Sequence, residues 1–98
     1  METSYANIRD GRKVVATAGT AERLVASNTS CRKVEITALA ENTGYVVVGD
    51  STVVASAGTR RGLPISSGTT LTVYVEDLYT LFLDVETAGE GVSFIYYF

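Results

Sequence analysis

Ninety-eight residues, 46% of them hydrophobic and 19% charged, are too apolar for a disordered chain and enough for one thin-cored domain that hides roughly two thirds of its unfolded surface. The net charge of −3 is unevenly laid out: all eight basic residues lie between Arg9 and Arg61, and Glu76, Asp77, Asp84, Glu86 and Glu90 are the only charges beyond. No basic stripe suits nucleic acid, no run approaches the ~20 apolar residues of a membrane span, and Met1–Tyr5 lacks the pattern of a secretory signal, so a soluble, cytosolically made protein is expected.

Residues 1–12 are polar, with Tyr5 and Ile8 as their only large apolar anchors, and read as an extended N-terminal arm; residues 13–98 read as the folded domain. From there, short alternating runs separated by Gly, Ser, Asn and Asp replace any helical period. Strands are expected near residues 13–17 and 21–25. Val34, Ile36 and Ala38 alternate with Lys33, Glu35 and Thr37, so one face of that strand meets a core and the other meets water. Further strands are expected near residues 45–48 and 52–55. Leu71, Val73 and Val75 then repeat the alternation, as do Leu81, Leu83 and Val85, with room for one helical turn at residues 76–79. In the last run, Val92, Phe94 and Tyr96 alternate with Ser93, Ile95 and Tyr97, and both sets are bulky, which fits a strand covered on both sides or one at a subunit contact. The expected fold is all-β: a single antiparallel β-sandwich or jelly roll of about eight short strands.

One segment echoes another. Val14–Thr20 returns 39 residues later as Val53–Thr59, and ten of the 26 positions aligned from Val14 to Leu39 are identical. A duplicated strand unit explains this, and so does chance in a composition rich in Val, Ala, Thr and Ser.

Catalytic chemistry finds little footing. Histidine is absent, which removes the usual general base, a common metal ligand and the middle member of most nucleophilic triads. Cys31 is the only cysteine, so no disulfide forms within the chain, and it reads as a small residue at a strand start despite Arg32 and Lys33 beside it. Asn28-Thr29-Ser30 matches a glycosylation sequon but reads as a turn. Glu76, Asp77, Asp84 and Glu86 are the carboxylates from which a hydrolase would draw a pair, and Asp50, Asp77 or Asp84 those for calcium, but solvated strand ends explain them without the spacing of a calcium loop. No enzyme, metal or cofactor is expected.

Surface and assembly remain. Five of the nine aromatic residues are Tyr79, Phe82, Tyr96, Tyr97 and Phe98, more aromatic mass at one end than a thin core takes in, so part of it should pack against another chain. Four stretches, residues 42–49, residues 62–68, residues 72–78 and Gly91-Val92-Ser93-Phe94-Ile95-Tyr96-Tyr97, resemble small β-rich proteins of tailed bacteriophages, among them head decoration (cement) proteins and similar fibre domains. The resemblance covers residues 31–98 and leaves the arm outside it. It implies a non-catalytic virion protein, a homotrimer seated on the major capsid protein of the shell. Tyr5, Ile8, Tyr96, Tyr97 and Phe98 are the expected interface residues. The alternative is a fibre or tail-tip module that binds a cell-surface glycan, with Tyr45, Tyr74 or Tyr79 stacking on sugar rings.

Overall fold

Side chains alternate inward and outward along the strands, and that period of two sets the architecture. The computed structural model describes residues 7–98. They form eight strands: β1 (Ile8–Val14), β2 (Glu22–Arg23), β3 (Lys33–Ala38), β4 (Val46–Gly49), β5 (Leu63–Ile65), β6 (Thr70–Val73), β7 (Phe82–Val85) and β8 (Gly91–Tyr97). Two four-stranded antiparallel sheets result, sheet I in the order β1-β8-β3-β6 and sheet II in the order β2-β7-β4-β5.

The pairing is nested. Ile8 lies opposite Tyr97, Glu22 opposite Leu83, Val34 opposite Val73 and Val46 opposite Ile65, so each step inward from one end of the chain is matched by a step inward from the other. The chain is one long antiparallel ribbon, doubled back between β4 and β5 and rolled around a core, which is the winding of a jelly roll. The expected all-β sandwich of about eight strands is the fold found.

Between the sheets lie Val34, Ile36 and Ala38 of β3, Val46 and Val48 of β4, Leu83 and Val85 of β7, and Val92, Phe94 and Tyr96 of β8, with Leu24 and Leu78 from the loops. Ile36 is wholly buried, and a side chain of that size contributes about 1.5–3 kcal/mol when taken from water.

Three segments differ from expectation. Residues 8–12 of the expected arm belong to edge strand β1, paired along its length with β8. They carry no alternating apolar signal because their inward positions are Arg9, Gly11 and Lys13; the Phe94 ring of β8 fills the space over Gly11, where a methyl would lie 2.4 Å from the ring. Residues 52–55 form no strand: Val53 and Ala55 are buried because they roof the outer side of sheet II over Val47 and Phe82. Leu63–Ile65, outside the expected strands, is edge strand β5, where Pro64 is tolerated. The expected helical turn is present as a single 3-10 turn, Leu78–Thr80, capped by the Asp77 carboxylate.

The 39-residue echo does not make equivalent halves, since Leu24 is 2% exposed and its counterpart Leu63 is 55% exposed. Its strongest part lies in the two segments that converge on Asp84. That side chain is 1% exposed on the outer side of sheet II, beneath the roof. Its Oδ1 accepts the Gly19 N–H at 2.9 Å and its Oδ2 the Ala55 N–H at 2.8 Å, while the Val85 N–H also donates to Oδ1. One buried carboxylate thereby ties the β1–β2 and β4–β5 loops to β7.

Other carboxylates pin the loops at either end. Asp77 accepts from the Asn28 side chain at 2.6 Å and from the Thr29 and Tyr79 N–H groups, and these bonds, the Asn28 one foremost, hold it below its ordinary value of 3.8. Glu90 is held below 4.5, chiefly by the Thr43 N–H, Glu22 likewise by Lys13, and Asp50 below 3.8 by Thr52. A carboxylate whose folded value is depressed stabilises the fold above its unfolded value, and that contribution is lost as pH falls through the folded value. The melting temperature should therefore hold steady down to the 4.5 and 3.8 ordinary values and drop below them. Calorimetry across that range checks it, and a melting temperature that rises on acidification would contradict it.

Candidate functional site

The sandwich is asymmetric. Sheet II is roofed by its own loops over β4 and β7, whereas among the described residues nothing covers the outer face of sheet I. Register defines that face. Its first row reads Ile8, Tyr97, Lys33; its second Asp10, Ile95, Glu35, Thr72; its third Arg12, Ser93, Thr37, Thr70. Tyr74, one residue past β6 and opposite in sense to the core-packed Val73, extends the first row's side of the face and is 73% exposed. Ile8 is 63% exposed and Ile95 38% exposed. A shallow furrow of about 540 Å³ crosses the second and third rows, bordered by Asp10, Glu35, Thr37, Thr70, Ser93 and Ile95.

Cross-strand bonds fix these side chains. The Tyr97 hydroxyl donates to Glu35 Oε1 at 2.6 Å, the Lys33 ammonium lies 4.5 Å from the Tyr97 ring centroid, and the Thr37 and Thr70 hydroxyls meet at 2.7 Å. The face is thus ordered and mixed: two carboxylates flank Ile95, and the cations Arg12 and Lys33 sit in the outer rows. Such a surface suits a shaped protein partner, with apolar area at the centre and charges that select orientation.

The expected interface residues divide between the two sides of sheet I. Ile8 and Tyr97 lie on the outer face. Tyr96 points inward and is 7% exposed, and Phe98 packs partly buried against the core, its ring 5.7 Å from that of Tyr96 and beneath the Arg9 guanidinium. The strict alternation of β8 turns Tyr96 away from any outer contact. Tyr5 lies outside the described residues. Glu35 joins the face from the wet side of its strand, Ile95 from the bulky outward set of β8 and Tyr74 from the aromatics expected to meet sugars; Asp10 alone has no signal in the sequence, because its place on the face depends on β1 being a strand.

The remaining candidates are dispersed. Asp77 and Glu86 lie in loops before and after β7, Asp84 lies under the roof, where its oxygens are taken by backbone N–H groups, and Glu86 is paired with Arg60. No group of three His, Cys, Asp or Glu among the described residues is placed to hold a metal ion. Cys31 is buried, its thiol directed to the Val75 carbonyl, and burial pushes its pKa up, away from a reactive thiolate. Tyr79 lies under the Arg23 guanidinium, 3.8 Å from ring centroid to Arg23, and shares that cation with Phe82. No helix among the described residues is long and apolar enough to cross a membrane.

No family model, no curated protein and no solved structure matches the chain.

Proposed function

We propose that the protein is a structural virion component, a decoration (cement) protein that seats the outer face of sheet I on the major capsid protein of a phage-type shell and acts there as a homotrimer. The observation that carries this reading is the one-sided sandwich: one outer surface is closed by the protein's own loops, and the other is a flat, ordered sheet of mixed chemistry that no other described residue covers. A jelly roll with such a face suits lattice building, since many weak, geometrically identical contacts add through multivalency. The work done is mechanical, a binding free energy contributed at every site on the shell.

Two measurements test it. Electron microscopy of particles containing this protein should show its density repeated over the shell lattice; density confined to the tail would overturn the reading. Ile95→Lys combined with Tyr74→Ser should keep the fold, because Asp10 and Glu35 flank the new ammonium and surface changes shift stability by about 0.5 kcal/mol at most. The same variant should lose attachment to shells and trimer formation in light scattering. Association at the wild-type level in that variant would remove sheet I from the interface.

A further inference from the structure

A second feature lies at the end of the sandwich where the β3–β4, β5–β6 and β7–β8 loops meet, apart from the face of sheet I. Tyr45 is 41% exposed there. The Arg60 guanidinium sits 4.7 Å from its ring centroid and pairs with Glu86, whose Oε1 accepts the Tyr45 N–H at 2.8 Å. The ring is therefore braced by a cation and by its own backbone anchor, which leaves its exposure to the uncovered side. Beside it runs a groove of about 260 Å³ bordered by Thr43, Gly44, Ser66, Ser67 and Glu86. Glu90 holds the near wall in place, accepting from the Thr43 N–H at 2.8 Å, the Thr43 hydroxyl at 2.9 Å and the Gly44 N–H at 3.1 Å.

We infer that this groove binds the terminal ring of a neutral saccharide. A pre-positioned aromatic face matches the apolar C–H face of a pyranose, and hydroxyl and carboxylate groups at its rim match the sugar's hydroxyls. The volume lies below the ~300 Å³ at which drug-sized sites begin, which suits one ring and not a longer stretch of glycan. Glu86 and Glu90 against Arg60 leave the local charge negative, which disfavours acidic sugars. A single ring held by one stack and a few hydrogen bonds binds with a dissociation constant on the order of 1 mM, lowered in effect by presenting several copies together.

The test is an amide NMR titration of the whole protein with methyl α-mannoside, methyl β-galactoside, methyl β-glucoside and N-acetylglucosamine, with glycerol as the polyol control. At least one sugar should give saturable shifts at Gly44, Tyr45, Ser66 and Ser67. Those shifts should vanish in Tyr45→Ala and persist in Tyr45→Phe. Because Glu86 anchors the backbone N–H of Tyr45 and not its ring, the alanine variant keeps that bond; Ser67→Tyr, which fills the groove and leaves Tyr45 in place, should abolish binding as well. No saturable shift with any of the four sugars, shifts matching those of glycerol, or shifts unchanged in Tyr45→Ala would each overturn the inference. The outcome is independent of whether sheet I binds a shell.

Discussion

Asp84→Asn is expected to lower the unfolding free energy by about 3 kcal/mol, and the melting temperature by roughly 12–24 °C for a domain of this size. Three N–H groups converge on this buried side chain, two on Oδ1 and one on Oδ2, so both oxygens must accept. An asparagine has one oxygen to offer. With the carbonyl turned toward Gly19 and Val85, its NH2 faces the Ala55 N–H, donor against donor, inside a site 1% exposed. A buried donor left without a partner costs about 1–3 kcal/mol, and the bonds to a carboxylate that are lost were stronger than those an amide makes. The damage should be local before it is global: hydrogen exchange at Ala55 should accelerate more than at Gly19, as the β4–β5 loop lifts from Val47. Wild-type stability in Asp84→Asn, or equal exchange at the two amides, would show that the roof is held by its apolar contacts and not by the carboxylate.

Gly91→Ala should be at least as damaging, by about 3 kcal/mol or more, with loss of soluble expression as the extreme outcome. A methyl at Gly91 would lie 2.0 Å from the Lys13 carbonyl oxygen and 2.7 Å from the Val14 Cα, so the obstacle is backbone and cannot swing aside. Gly91 pairs with Val14, and its carbonyl accepts from the Leu39 N–H at 3.0 Å and from the Asn42 side chain at 2.8 Å. Pushing β8 away from β1 there also disturbs the corner where the β3–β4 loop is tied down. Gly89→Ala is the control: it adds its methyl to open space, so its cost comes only from the positive φ of 86°. Urea denaturation of both should separate steric from conformational strain, and Gly91→Ala no worse than Gly89→Ala would refute the close approach.

The sequence revealed strands where one side of the sheet is wet. β3 alternates cleanly because Lys33, Glu35 and Thr37 face outward, whereas in β8 the outward Ile95 and Tyr97 are as bulky as the inward set. In β4, Val46, Val47 and Val48 are all buried because sheet II is covered on both sides, so the run carries no period, and Val53–Ala55 looks the same although it is the cover itself. β1 was unreadable because its inward position Gly11 is filled by a ring borrowed from β8. For the candidate face, parity along β8 already separated Tyr97 from Tyr96. What no single-strand pattern supplies is the neighbour across the ladder, and so the row of Asp10, Ile95 and Glu35 became visible only with register.

The nested pairing bears on how the protein is made. β1 leaves the ribosome first of the eight, yet its sole partner is β8, the last; β3 likewise gains one of its two neighbours only then. The nascent chain must carry an unpaired β1 until β8 has been made, while β4 with β5 can close first and β3 with β6 next. Folding dominated by such distant partners is slow, and the waiting segments are the ones on which molecular chaperones act. The charged residues Arg9, Asp10, Arg12 and Lys13 keep that waiting strand from joining the wrong neighbour.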